Sequence, residues 1–230
     1  MINPFEDFKE YPYQRKEIPL DRIVRAKEKV MEQIVKGYLK LVDEEVKDLV
    51  WLVEHSRILK AYSSALQLIQ GFEYDVDDIE ELCLEIDKGG RIPYLVSGPA
   101  GVYLSALCNN AREESIHLRL SEFKRIFHFL GYRLPEGKTL ELEGDVGDFI
   151  GASLSGGKLI VKGSTRNWTG AGMTKGEIFV SHHTGQNTGE WMRGGEIHVD
   201  GRIQGLGKTI LGGRIYQQGR LVVPHDPAAR

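Results

Sequence analysis

The sequence predicts an α+β protein: a helical N-terminal region, residues 1–96, followed over 97–230 by a parallel β-helix with coils of about 19 residues. Three observations carry this. Glycine is segregated, with only Gly37 and Gly71 among the first 88 residues and most of the 27 copies after Gly131. The strings GKLIVKG, GEIFVSH, GEIHVDG and GRIYQQG return at a near-constant interval. Between Leu20 and Gln70, by contrast, apolar residues recur at helical spacing.

The helices come first. Ile23, Ala26, Val30, Ile34 and Leu41 form one apolar stripe, and Val46, Leu49, Val50 and Val53 a second, so two or three amphipathic helices are expected before Gln70. Pro19 and Asp21 suit a helix start, because a fixed φ and a carboxylate both match its unpaired amides. Asp75–Lys88 reads as a further helix, opened by acids at its positive end and closed at Gly89 and Gly90, where a left-handed cap is easy. The acidic run DVDDIEE lacks the alternating ligands and central glycine of a calcium loop, and no metal is assigned to it.

Next comes RIPYLVSGPAGVYLSAL, whose strand–turn–helix layout could cradle an anion on backbone amides, although no Lys followed by Ser or Thr completes a P-loop. Aligning Gly98 and Gly101 with Gly144 and Gly147 instead makes this a degenerate first coil. Its strand is then Ile116–Leu120, and residues 121–131 are an inserted helix ending at Gly131.

Regular coils run from about residue 137 to 223. Glycines before the strands fall at 137, 157, 176, 195 and 213, and those after the turns at 151, 170, 189 and 207. Alternation turns two columns inward: Leu140, Leu159, Ile178, Ile197 and Ile215, then Leu142, Val161, Val180, Val199 and Gln217. Leu154, Met173, Met192 and Ile210 form a third interior column that closes the cross-section. Gly144, Gly147, Gly151, Gly157, Gly170, Gly176, Gly189, Gly195, Gly207 and Gly213 are read as architectural, at corners that need a positive φ or a close backbone approach. An open end of such a stack exposes unpaired backbone, so Pro224 with the polar tail is expected to cap one end and the inserted helix the other.

Candidate chemistry is sparse. His182 and His183 interrupt a glycine column with His198 nearby, but adjacent side chains on extended backbone point apart, so a shared ligand set is disfavoured and polar corners are expected. Ser153 and Ser155 lack a nucleophile elbow. Asp145 and Asp148 lie at a turn whose other copies hold Ser164 and Asn167, which argues for a solvated corner. No catalytic, cofactor-binding or metal-binding residue is assigned. The outward strand column is different: Glu141, Ile160, Phe179, His198 and Tyr216 is too apolar for open water, and Ile160, Phe179, His198 and Tyr216 are the candidate docking surface, covered by a partner or by the chain's own helices. Phe149 and Trp168 form a second column at a corner, with Trp191 on the next side.

The motif set GDVGDFIG with LSGGKLIV resembles the GXGXG domain shared by the C-terminal part of glutamate synthase large subunits and by the β-helical polypeptide of formylmethanofuran dehydrogenase. The match spans roughly Gly137 to Val223 and rests on Gly144, Gly147, Gly151, Gly156 and Gly157, then Gly170, Gly172 and Gly176, then Gly189, Gly194 and Gly195. The resemblance implies a right-handed parallel β-helix without catalytic residues, a scaffold that holds other domains or subunits together. A non-catalytic docking subunit of a glutamate synthase-like oxidoreductase follows as the expectation, with an amidotransferase or a flavoprotein as partner. A component resembling the β-helical polypeptide of formylmethanofuran dehydrogenase is one alternative, and a small-molecule or anion-binding protein using the GPAG turn or the His182–His183 corner is another. Self-association is the competing use of the outward column. A net charge of −3 without a basic cluster gives no footprint for nucleic acid or a membrane surface. Two cysteines, no apolar leader and no long apolar run point to a reduced, cytoplasmic setting.

Overall fold

The computed structural model describes residues 20–45, 55–89 and 97–225. Four helices precede a seven-stranded sheet: α1 (Leu20–Glu45), α2 (His55–Ile69), α3 (Val76–Lys88) and α4 (Ser97–Asn110), then β1 (Ser115–Arg119), β2 (Thr139–Glu143), β3 (Ser155–Lys162), β4 (Lys175–Val180), β5 (Arg193–Val199), β6 (Gly212–Gln217) and β7 (Arg220–His225). The fold is α+β, with a β-solenoid of about four turns at 19-residue spacing. Pro19, the Val46–Val53 stripe, Gly90 and the RIPYLV stretch lie outside the described residues, as does the tail beyond His225.

Each helix follows from its stripe. Ile34, Tyr38 and Leu41 of α1 are buried, as are Ile58, Ala61, Tyr62, Ala65 and Ile69 of α2. α3 opens on a reciprocal capping box, in which the Asp75 side chain accepts from the Asp78 amide and Asp78 accepts from the Asp75 amide, and it closes on Gly89 at φ 68°. No helix among the described residues is long and apolar enough to cross a membrane.

The strands are stacked in sequence order, β1 through β6 parallel, with β7 turned back antiparallel on β6. The register is that of the repeat: Leu140 pairs with Leu159, Leu159 with Ile178, Ile178 with Ile197 and Ile197 with Ile215. All five are fully buried, as are Leu154, Met173 and Met192 of the third column, while Ile210 is partly exposed. Where the early turn has buried Val146 and Ile150, the next two coils place Thr165 with Thr169 (Oγ1–Oγ1 2.7 Å) and Thr184 with Thr188 (2.9 Å). Each pair satisfies its hydroxyls inside an otherwise apolar bore.

The corner after Val146 repeats an unusual backbone. Positive φ recurs at alternate residues: Phe129, Gly131 and Arg133, then Phe149, Gly151 and Ser153, then Trp168, Gly170 and Gly172, then Asn187, Gly189 and Trp191. Side chains stand at the outer two positions, Gly172 excepted, whereas the middle one is always glycine. A Cβ on Gly170 would lie 2.5 Å from Cδ1 of Ile197, and one on Gly189 would lie 2.6 Å from Cδ1 of Ile215. The outer positions face away from the bore and the middle one faces into it.

Two expectations need correction. Residues 121–131 are not a helix but a run of turns, and Gly98 to Leu104 lie in α4 rather than in a degenerate coil. The first coil runs from Ile116 to Leu140, 24 residues rather than 19, and most of its extra length sits at the Ser121–Phe127 corner. Past that insertion the chain rejoins the repeat, with Phe129 donating its amide to Asp148 and Gly151 donating to Leu130. Gly101 serves a close approach: a Cβ there would collide with the His128 carbonyl. The N-terminal cap is therefore α4. Ser105 Oγ donates to the Phe129 carbonyl (2.8 Å) and accepts from the Tyr132 amide (3.2 Å), and Asn109 Nδ2 donates to the Tyr132 carbonyl (3.0 Å). At the other end the backbone edge is covered by β7, Pro224 included.

Candidate functional site

The outward column is continuous and in register: His117 pairs with Glu141, Glu141 with Ile160, Ile160 with Phe179, Phe179 with His198 and His198 with Tyr216. Its rings are stacked, Phe179 on His198 at 4.7 Å and His198 on Tyr216 at 4.5 Å, with planes within 9° and 4°. Parallel in-register strands impose this, because identical positions repeat at the strand spacing of about 4.8 Å. Charges frame the rings. Lys158 Nζ stands 4.8 Å from the Phe179 centroid, Glu196 Oε2 is 3.1 Å from His198 Nε2, and Arg214 pairs with Glu196. The column's other end is polar, with Glu141 bonded to Lys162 and beside His117. Among the described residues, α3 is the helix packed substantially on a strand, and that strand is β1. Ile160, Phe179, His198 and Tyr216 remain partly exposed.

The corner residues have architectural employment. His128 Nδ1 accepts the Asp148 amide (3.0 Å), Asp148 Oδ1 accepts the Asn167 amide (2.9 Å) and Asn167 Oδ1 accepts the Gln186 amide (2.9 Å), a ladder in which each coil's side chain satisfies the next coil's backbone. Asp145 Oδ1 does the same for Ser164 (2.7 Å), and His183 Nδ1 for Arg202 (2.9 Å). Buried Glu190 takes the amides of Lys208 and Thr209 at 2.6 and 3.0 Å. Burial holds the His128 imidazole below its ordinary value although Asp148 lies beside it, so the neutral ring accepts the amide. His182 and His183 have ring centroids 6.5 Å apart, and His198 is turned to Glu196. Among the described residues no three His, Cys, Asp or Glu side chains converge as a metal site. Burial also pushes the Cys108 thiol up to about 12 and Cys83 well above its ordinary value, which leaves neither as a thiolate near neutral pH.

A second feature lies on the corner face. Phe129, Phe149 and Trp168 stack at 4.7 and 4.9 Å with planes within 3°. Beside them opens a groove of about 650 Å³. Successive coils place Tyr132, Ala152, Ala171 and Glu190 in one column and Arg133, Ser153, Gly172 and Trp191 in the next, linked by the amide bonds Arg133 to Ala152 (3.0 Å), Ser153 to Ala171 (2.8 Å) and Gly172 to Glu190 (2.8 Å). Two coils of small residues thus lie between large ones. His55 and Ile58 of α2 complete one end, and Arg193 lies at the other beside Trp191, which is 47% exposed. Sequence reasoning missed this groove because it placed the first coil before β1. Once FLGYR is aligned beneath FIGAS, WTGAG and NTGEW, the large–small–small–large pattern is visible in the letters. Comparison of the chain with protein-family models, with curated proteins and with solved structures gives no match.

Proposed function

We propose that this chain is a non-catalytic docking subunit or domain of a multi-subunit oxidoreductase of the glutamate synthase kind. The observation that carries the reading is the outward column Ile160–Phe179–His198–Tyr216, three stacked rings and an isoleucine aligned across four strands and left partly exposed. Rigid, pre-ordered aromatic rows lose little side-chain entropy on association, and a charged frame of Lys158, Glu196 and Arg214 gives such a patch orientation. The commitment of Asp145, Asp148, His183 and Glu190 to neighbouring amides supports a structural rather than a catalytic use of the corners. The type of assembly rests on the resemblance of the coil glycines to the GXGXG domain, which suggests an amidotransferase and a flavoprotein as partners.

The test is purification of the tagged protein at low salt from its own host, with the co-purifying chains identified and their stoichiometry measured, beside Phe179→Glu and Tyr216→Glu variants. An amidotransferase and a flavoprotein in fixed ratio, lost from both variants, is the expected result. A chain that purifies alone, or partners that both variants retain, counts against the reading.

A further inference from the structure

We infer that the corner groove is a binding site for a small planar aromatic carboxylate. Its volume, about 650 Å³, falls within the roughly 300–1,000 Å³ typical of small-molecule sites. Its shape is built by sequence: Arg133 and Trp191 occupy the same left-handed corner position three coils apart, about 14 Å at the strand spacing, and the coils between them carry only Ser153 and Gly172 there. Ala152 and Ala171 deepen the same two coils, and the Phe149 ring lines the space they leave. A flat apolar body fits such a slot.

The polar groups of the groove select the charge. Arg133, Arg193 and Ser153 have protons to donate, the Ser155 and Thr174 hydroxyls being turned to the Leu134 and Leu154 carbonyls, and no carboxylate lines the groove among the described residues, although the chain as a whole carries −3. Neither arginine makes an ion pair with a described residue. A separate observation points the same way. Tyr132, 1% exposed and lining the groove, has a buried hydroxyl with no hydrogen-bond partner at bonding distance and angle; Arg133 and Ser153 are the polar side chains nearest it. An orphaned buried hydroxyl is costly unless something meets it. A carboxylate that draws the Arg133 and Ser153 side chains aside and seats itself between them supplies the missing acceptor, so the head group belongs at the Tyr132–Arg133 end and the ring in the slot beside Trp191.

The site lies on the corner face, apart from the outward strand column, and its test uses the purified full chain with no partner present, so the two readings fail separately. Calorimetric titration with 2-naphthoate should give saturable binding at about one site per chain, with 2-acetonaphthone, a neutral analogue of the same shape, at least about tenfold weaker. Arg133→Met and Arg193→Met should each weaken 2-naphthoate about fivefold or more. Gly172→Trp should abolish binding in a chain that still folds, with only a modest fall in melting temperature from the backbone strain: Arg133, Ser153 and Trp191 hold side chains at the same positive φ, and the atom nearest a Cβ there is Ser153 Oγ at 3.6 Å. Tyr132→Phe separates binding from packing, since removal of an unpartnered hydroxyl leaves the ligand-free melting temperature unchanged or raised while binding weakens. Absence of saturable binding, equal binding of the neutral ketone, or full binding by folded Gly172→Trp would overturn the assignment.

Discussion

His128 accepts the backbone amide of Asp148 at 3.0 Å, one coil further along, and burial keeps that imidazole neutral. Because the folded value is depressed, the unfolded chain binds a proton that the folded chain refuses once pH falls below the ordinary imidazole value of about 6.5. The stabilisation is complete above about pH 6.5 and is lost as pH falls towards the depressed value. Melting temperatures taken from pH 7.5 to 5.5 should therefore decline, and His128→Asn should flatten the decline. Asparagine keeps an acceptor without a titration, as Asn167 does two coils along the same ladder. Carboxylates add their own loss at lower pH. Glu80 is held below its ordinary value by its bond to Arg119, and Glu141 by its bond to Lys162, so their contribution is present above about pH 4.5 and disappears as pH falls through the lowered values.

Gly170→Ala should be costly for two separable reasons. Its φ of 68° disfavours any side chain, and its Cβ would meet Ile197 Cδ1 at 2.5 Å. Together these predict a loss of about 2–4 kcal/mol, read by denaturant unfolding. Ile197→Val deletes the clashing methyl at a cost of about 1 kcal/mol by itself. The double variant should then be less destabilised than the sum of the two, because the steric term is removed and the backbone strain remains. Strict additivity would show that the contact contributes nothing.

Much of the solenoid was legible because parallel in-register stacking maps a linear period directly onto a spatial column. Leu140, Leu159, Ile178, Ile197 and Ile215 are all branched aliphatics in the letters and one ladder in space. The first coil was not legible for the converse reason: its insertion lengthens the Ile116–Leu140 interval to 24, so the period is broken where the search for it begins. GPAG imitates the coil glycines, yet Gly101 is small to let α4 approach the His128 carbonyl, a long-range requirement that no local pattern carries. The outward column was readable from alternation alone, whereas the groove depends on residues that are small, and smallness is silent until the neighbouring coils are aligned.

Ser105 is buried at 0% exposure and serves both the Phe129 carbonyl and the Tyr132 amide, so it pins the capping helix to the first coil. Ser105→Ala removes both bonds and leaves the Tyr132 amide and the Phe129 carbonyl only their bond to each other (3.2 Å), at a cost of about 1–2 kcal/mol. The expected result is a lower unfolding midpoint by chemical denaturation and greater amide exchange across α4 and the first coil than across β4 and β5. Uniform exchange over the whole chain would mean that cap and solenoid unfold as one unit.

The outward column offers the complementary prediction, a surface change that affects assembly and leaves folding alone. Phe179 and Tyr216 are partly exposed and stack on His198 from opposite sides. Their replacement by glutamate also sets a negative charge near Glu196, which already draws on Arg214 and His198. Strand pairing and the buried ladder beneath are untouched, so Tyr216→Glu should change unfolding free energy by no more than about 1 kcal/mol. The same variant should reduce affinity for the partner by about two orders of magnitude, because a charge placed inside an aromatic interface must be desolvated without a counter-charge. Equilibrium unfolding and surface-immobilised binding measured on one preparation separate the two effects. A large stability loss with unchanged partner affinity would assign the column to the fold, not to docking.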